Sequence, residues 1–332
     1  IDLIVCYWES LVAQQARIEG VTMRTNLQSR GFRATAAPFQ GPLQRSRVSV
    51  RSVSRMNLPV DFKDSYVDLA HQLADAAAQV TRKYFRTSVD VESKGDTSPV
   101  TIADRQAEVS MREIIGKTFP DHGIFGEEHG LKFGSGAGSK YMWVLDPIDG
   151  TKSFITGKPL FGTLISLVYE GSPILGIIDQ PITKERWVGV VGRPTTLNGQ
   201  TLRTRPCTDV KLAYLYATTP HMFSGDNETA FNRLRDQVRI PMYGCDCYAY
   251  GLLAAGHCDL VVEADLKPYD YMALVPVVQG AGGVMTDWSG QPLVWQPSPG
   301  ATDLKSGWPG EVCAAGDPAL HRQALRILDW QH

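Results

Sequence analysis

The sequence has no uninterrupted apolar run approaching the ~18 residues that a membrane-spanning helix requires, and no internal repeat. Cysteine is sparse, six in 332 residues, and Cys245 and Cys247 are too close together for a relaxed intrachain bridge. A disulfide scaffold is therefore excluded, and a reducing compartment is expected. Neither a C-x-x-C spacing nor an H-x-x-x-H pair occurs among the cysteines and the seven histidines. That argues against a structural zinc site and leaves Cys245, Cys247 and Cys258 as buried thiols. Residues 21–60 lack Asp, Glu and Lys altogether but carry seven arginines and several serines, the composition of an organellar transit peptide. A nucleic-acid-binding arm is the competing reading of that segment. We expect residues 1–60 to be a leader and transit peptide, with Met23 as the start of translation.

The chain as a whole is globular in composition, with 43% hydrophobic and 20% charged residues. The formal charge of −2 averages two unlike parts, since residues 61–332 hold 25 basic against 32 acidic side chains. An acidic body argues against nucleic acid or an anionic membrane as partner and leaves a small molecule. Phe62, Tyr66, Leu69, Leu73, Ala77, Val80 and Tyr84 fall at helical spacing behind Asp61 as a possible cap, and a second helical pattern runs from about Asp104 to Lys117 after an extended TSPVT. The short apolar segments YMWVLD, LISLVYE, ILGIID and RWVGVV, closed by an Asn198–Gly199 turn, predict an antiparallel meander. Beyond it the rhythm changes to helices near 227–238, 248–256, 270–280 and 319–328, with DLVVE and GGVMT as strands. This is an α+β pattern, with an N-terminal half at 61–195 and a C-terminal half at 196–332. GSGAGS at 134–139 precedes a strand and reads as a connector, not a dinucleotide loop.

Three segments put carboxylates at strand ends or a helix start: IFGEEHG (Glu127, Glu128), WVLDPIDGT (Asp146, Asp149) and KPYDYMALVPVVQGAGG (Asp270). The i, i+3 spacing of Asp146 and Asp149 lets both reach one hard cation, with the Ile148 carbonyl as a further oxygen donor, a set suited to Mg²⁺. Gly150 and Thr151 then open a helix, where free amides and a hydroxyl can hold a phosphate. Taken singly, Asp149 and Asp270 also fit ordinary N-caps, and Glu127–Glu128 a solvated pair. An acidic site can accept a phosphate ester only if divalent cations invert its charge.

GEEHG, WVLDPIDGTKSF and the Asp270 helix ending in GAGGV resemble, in order and spacing, the signature segments of the inositol monophosphatase superfamily of magnesium-dependent phosphatases, over about residues 62–330. The resemblance implies a layered αβαβα sandwich of the inositol monophosphatase and fructose-1,6-bisphosphatase type, two or three Mg²⁺ ions per subunit and a homodimer. It further implies that Glu127, Asp146 and the Ile148 carbonyl bind one ion and Asp146, Asp149 and Asp270 a second. Gly150 and Thr151 would hold the phosphate, and Thr151 and Glu127 orient the attacking water, with Asp104 and Thr101 beside it. Lys94 would start a mobile loop over the site. The family's Trp-Asp pair is Tyr269–Asp270 here.

GKPLFGTLISL, GCDCYAYGLLAAGHCDLVVE and LKPYDYMALVPVVQGAGG look like the histidinol-phosphate phosphatase branch of plants and bacteria. Asp246 with Glu263 would give negative charge suited to a substrate carrying an ammonium and an imidazole; the alternative for Asp246 is a cap of the helix beginning near Cys247. Histidine synthesis would place the protein in the chloroplast, with the mitochondrion as the alternative that the presequence composition leaves open. The expectation is hydrolysis of L-histidinol phosphate to L-histidinol and phosphate. The alternatives are an inositol or sugar monophosphatase of the same fold and a non-catalytic metal-binding regulatory protein.

Overall fold

A computed structural model of the chain describes residues 58–88, 91–93, 99–135, 139–297 and 310–329. All but the last three residues of the expected presequence lie outside the described residues, as do Lys94 and residues 136–138 of the GSGAGS connector. No helix among the described residues is long and apolar enough to cross a membrane.

Helix α1 (Asp64–Tyr84) buries Tyr66, Leu69, Ala70, Leu73, Ala74 and Ala77, the i, i+3, i+4, i+7 face its sequence predicts. Asp61 does not cap it. Lys63 occupies the N-cap without a side-chain bond, and the Asp61 carboxylate accepts a 2.8 Å hydrogen bond from the Tyr141 hydroxyl, tying the chain to a strand 80 residues away. Strands β1 (Val91–Ser93) and β2 (Pro99–Thr101) form an antiparallel pair. They lead into α2 (Ile102–Thr118), closed at its start by a capping box of Thr101 and Asp104.

The first sheet contains β3 (Gly123–Gly126), β4 (Gly130–Lys132), β5 (Tyr141–Asp149), β6 (Gly162–Tyr169), β7 (Ser172–Gln180), β8 (Glu185–Val190), β9 (Thr196–Leu197) and β10 (Gln200–Thr201). Its order is β10-β9-β8-β7-β6-β5-β3-β4. The meander read from the sequence is present, and among the described residues of this sheet only the β3–β5 pair is parallel. Alternation along β5 sends Tyr141, Trp143 and Leu145 into a core under α1 and α2, and Val144 into a second core on the opposite face.

That second core holds the middle helical layer, α5 (Tyr248–Ala254) and α7 (Leu274–Gly280). Leu274, Val275, Val277 and Val278 are all buried, as a helix covered on both sides must be. Gly176 and Gly189 are directly paired across β7 and β8. A Cβ on either would run into the backbone at Ala273 or Pro276, so glycine there lets α7 rest on the sheet. The helix expected near 270–280 is two pieces, α6 (Pro268–Tyr271) and α7. Pro276 has no N–H to continue the ladder across the break.

The second sheet, of mixed direction, has the order β12-β11-β13-β15-β14, from β11 (Tyr214–Ala217), β12 (Ile240–Tyr243), β13 (Leu260–Glu263), β14 (Val284–Thr286) and β15 (Val312–Ala315). Its outer face packs on α4 (Gly225–Arg235) and α8 (Pro318–Leu328). The layers therefore run helix pair, sheet, helices, sheet, helix pair: an αβαβα sandwich, as expected. Strands β11, β12 and β15 are additions to the sequence reading. Each has four residues; β12 carries Pro241 at a sheet edge, and β15 is built from small residues with weak strand preference.

Candidate active site

The end of β5 carries the local feature on which the site depends. Residues 146 and 149 of a regular strand would point to opposite faces. The pairing with β6 instead shifts between Asp146, opposite Leu164, and Asp149, opposite Gly162. Three steps on one strand match two on the other, and this bulge returns both carboxylates to one face. Thr163 Oγ1 donates to the Pro147 carbonyl at 2.8 Å, and the Ile148 amide donates to Asp146 Oδ1 at 3.0 Å, holding the bulge. Gly150 follows with φ +89°, a left-handed conformation that favours glycine, and caps α3 (Thr151–Ile155).

Two other segments converge here. Asp270 sits at the third position of α6, where its Oδ2 accepts from the Lys267 amide at 2.7 Å. Single oxygens of Asp146, Asp149 and Asp270 lie within 4.8 Å of one another. Glu127 leaves β3 with its amide donating to the Leu145 carbonyl at 3.2 Å. Because Gly126 pairs with Leu145, Glu127 emerges level with Asp146.

A cleft of about 280 Å³ is lined by Glu127, Asp149, Gly150, Thr151, Asp246, Glu263 and Asp270 among others. Residues from both sheets and the middle layer thus meet in one cavity. Asp146 is buried behind its wall. Thr101 and Asp104 are buried as well; Asp104 Oδ2 accepts from the Thr101 amide and hydroxyl at 2.8 and 2.5 Å, and burial, with the charge of Glu127 adding to it, holds its carboxyl above the ordinary range. The Ile148 side chain is buried with Ala103, Phe154 and Phe161, while its carbonyl accepts from Thr151 Oγ1 at 3.2 Å and retains a second lone pair.

Asp246 is not the cap of α5. It adopts φ +46°, and its Oδ2 accepts from Ser153 Oγ at 3.1 Å. The acceptor at the start of α5 is Asp149, whose Oδ2 takes the Cys247 amide at 2.5 Å. Asp246 lies against Gly150 so closely that a Cβ there would stand 2.9 Å from Asp246 Oδ2. Glu263 accepts from the Thr218 amide and the Tyr250 hydroxyl, each at 2.8 Å. Sequence reasoning missed the cleft residues Lys152, Thr218, Thr219 and Tyr250. It also missed Glu108, whose readable signal was an acid on the buried face of α2, four residues after Asp104.

The electrostatics are those of a site awaiting positive charge. Burial, then the charges of Asp246 and Asp270, hold the Asp149 carboxyl well above the ordinary carboxylate range. Burial, then Glu127, pushes Asp270 up to about 8. Burial raises Asp246 and Glu263 as well. Clustered carboxylates that resist ionising together are relieved by protons or by a hard cation, and an all-oxygen donor set fits the latter. The residues present therefore fit a metal ion.

Comparison with known proteins agrees with this geometry. The model of the inositol monophosphatase family matches residues 63–322. The chain is 55% identical over 284 residues to an Arabidopsis thaliana protein described as bifunctional phosphatase IMPL2, chloroplastic, covering 86% of this chain and 81% of that one. It is 35% identical to a histidinol-phosphatase of Chlorobaculum parvum, over 68% of this chain and 86% of the other. A solved structure of an inositol monophosphatase from Zymomonas mobilis superposes with a TM-score of 0.70 at 48% identity, covering 80% of this chain and 98% of that chain. The chain belongs to the inositol monophosphatase family of phosphatases.

Proposed function

We propose that the chain is a Mg²⁺-dependent phosphatase that hydrolyses L-histidinol phosphate to L-histidinol and phosphate, in the chloroplast. The observation that carries the substrate is Asp246 packed on Gly150 and held by Ser153 in the cleft that also holds the acidic cluster. In L-histidinol phosphate the ammonium is two carbons from the ester oxygen. A carboxylate adjoining the phosphate-binding turn is thus at the right remove to meet it, and a neutral polyol has no matching charge. The chloroplast assignment is supported by the arginine-rich residues 21–60 and by the chloroplastic designation of the Arabidopsis relative.

In this reading Asp146, Asp149, Asp270, Glu127 and the Ile148 carbonyl hold Mg²⁺. When bound, Mg²⁺ supplies positive charge to the phosphoryl oxygens and makes water a better nucleophile. The amides of Gly150 and Thr151 receive the phosphate. Glu127 and Thr151 orient the attacking water, with Asp104 held next to Glu127 by Thr101. Asp246 and Glu263 bind the ammonium end, so the leaving group is fixed before its bond breaks.

A substrate panel tests this. The purified chain is expected to hydrolyse histidinol phosphate faster than inositol 1-phosphate or a sugar monophosphate, and the reverse order would overturn the substrate assignment. Inositol phosphate hydrolysis is the second reading, favoured by the 48%-identical inositol monophosphatase structure. Phosphate release no greater than that of an Asp270→Asn control would favour a metal-binding protein without turnover.

The metal assignment has its own signature. The folded-state pKa of Asp270 lies near 8, above its ordinary 3.8. Between those values the metal-free protein holds a proton that the unfolded chain has released, and its stability falls as pH rises. Mg²⁺ binds the ionised form, so its stabilising effect is expected to grow from pH 5.5 to pH 8. Melting temperatures in EDTA and in Mg²⁺ at the two pH values measure this; a shift that shrinks with pH would remove Asp270 from the ligand set.

A further inference from the structure

Helix α2 presents three charged side chains at i, i+4 and i+8: Asp104, Glu108 and Arg112. The first lies beside Glu127. The other two hold the turn that carries Glu127 into the cleft. Glu108 is fully buried, and its carboxylate accepts from the Glu128 amide at 2.7 Å, the His129 amide at 3.1 Å and Arg112 Nε at 2.6 Å. Arg112 Nη2 in turn donates to the Gly130 carbonyl. The turn between β3 and β4 is therefore gripped at its amides by an acid and at its far carbonyl by a base. From the opposite side the Glu127 amide is tied to β5 through Leu145. Gly126 completes the arrangement, because a Cβ there would overlap the Glu108 carboxylate.

A buried ion pair is a poor device for stability alone, since apolar side chains of similar volume often do as well or better. What this pair contributes that an apolar pair would not is a fixed direction for two successive amides and the residue before them. We propose that Glu108 and Arg112 are positioning residues that aim the Glu127 carboxylate at the metal-binding and water-orienting position of the cleft. The proposal rests on the phosphatase reading for what Glu127 does, and on the hydrogen bonds above for how it is held.

The test is a thermodynamic cycle on the full chain with Glu108→Gln, Glu127→Gln and the double variant. It is read by steady-state phosphate release, by Mg²⁺ calorimetry and by melting temperature in EDTA. Gln keeps the shape of Glu108 but turns an N–H donor toward amides that are themselves donors. Glu108→Gln is expected to lower kcat about 10- to 100-fold with KM changed less than about twofold, and to weaken Mg²⁺ binding about tenfold, the range seen when residues supporting a metal ligand are altered. Added to Glu127→Gln it should cost less than about a further twofold, because both act through one carboxylate. Losses that multiply, or Mg²⁺ affinity equal to wild type, would overturn the proposal. If Glu108→Gln does not fold, Arg112→Lys, which keeps the charge and gives up the planar fork, is read in the same cycle and should show a smaller loss with the same non-additivity. Absence of phosphate release by the wild-type chain would defeat the phosphatase reading. The calorimetric comparison still decides on the pair, and absence of Mg²⁺ binding by wild type would overturn it.

Discussion

Asp270→Asn should lower turnover by at least about a thousandfold at saturating Mg²⁺ and leave the fold intact. Asn retains an oxygen able to accept the Lys267 amide, so the hydrogen bond that closes the start of α6 survives. What disappears is the charge. Asp270 shares with Asp146 and Asp149 a cluster whose oxygens lie within 4.8 Å, and its ionisation is already opposed by burial and by Glu127. With one anion gone, the remaining acids repel less and attract a cation less. Two measurements in the same samples follow from that trade. Phosphate release collapses, while the melting temperature in EDTA at pH 8 holds or rises, because an unfavourable buried charge has been removed. Retention of more than a tenth of wild-type activity would show that the cluster is not the catalytic centre.

The second large effect concerns selection between substrates. Asp246→Asn should reduce kcat/KM for histidinol phosphate about a hundredfold, the loss expected when one partner of a desolvated charge pair is neutralised. The same change should alter hydrolysis of an uncharged-alcohol phosphate such as glycerol 2-phosphate by less than about threefold. Asn is the better probe than Ala, since it tolerates the left-handed backbone at φ +46° and still accepts from Ser153. Asp246→Ala should show the same selectivity with an added loss of stability. Equal losses on both esters would remove Asp246 from substrate recognition and leave it as support for the Gly150 turn.

Parts of the architecture were readable because they are written in local periodicity. The α1 face, the β6–β8 meander and the Asn198–Gly199 turn each follow from residues within a dozen positions. Failures occurred where a distant partner decided the outcome. Asp61 is a plausible cap by type, but the Tyr141 hydroxyl claims it. Asp246 stands at the position from which a cap would act, yet Asp149, almost a hundred residues earlier, supplies the acceptor for Cys247. Strand β15 carries little strand preference of its own; β13 and β14 on either side make it one.

By itself the sequence determined which chemistry was available: oxygen donors spaced for a hard cation in WVLDPIDGT, a flexible glycine before a hydroxyl, and acids where apolar elements begin or end. Residue type and short-range spacing suffice for that, since they govern donor atoms and backbone preference directly. Only the tertiary structure decided that a one-residue bulge turns Asp149 to the side of Asp146, that Asp270 and Asp246 arrive in the same cleft, and that Glu108 steadies the turn of Glu127. Those outcomes depend on strand register and on the stacking of layers, which arise from the packing of the whole core and leave no mark at any single position.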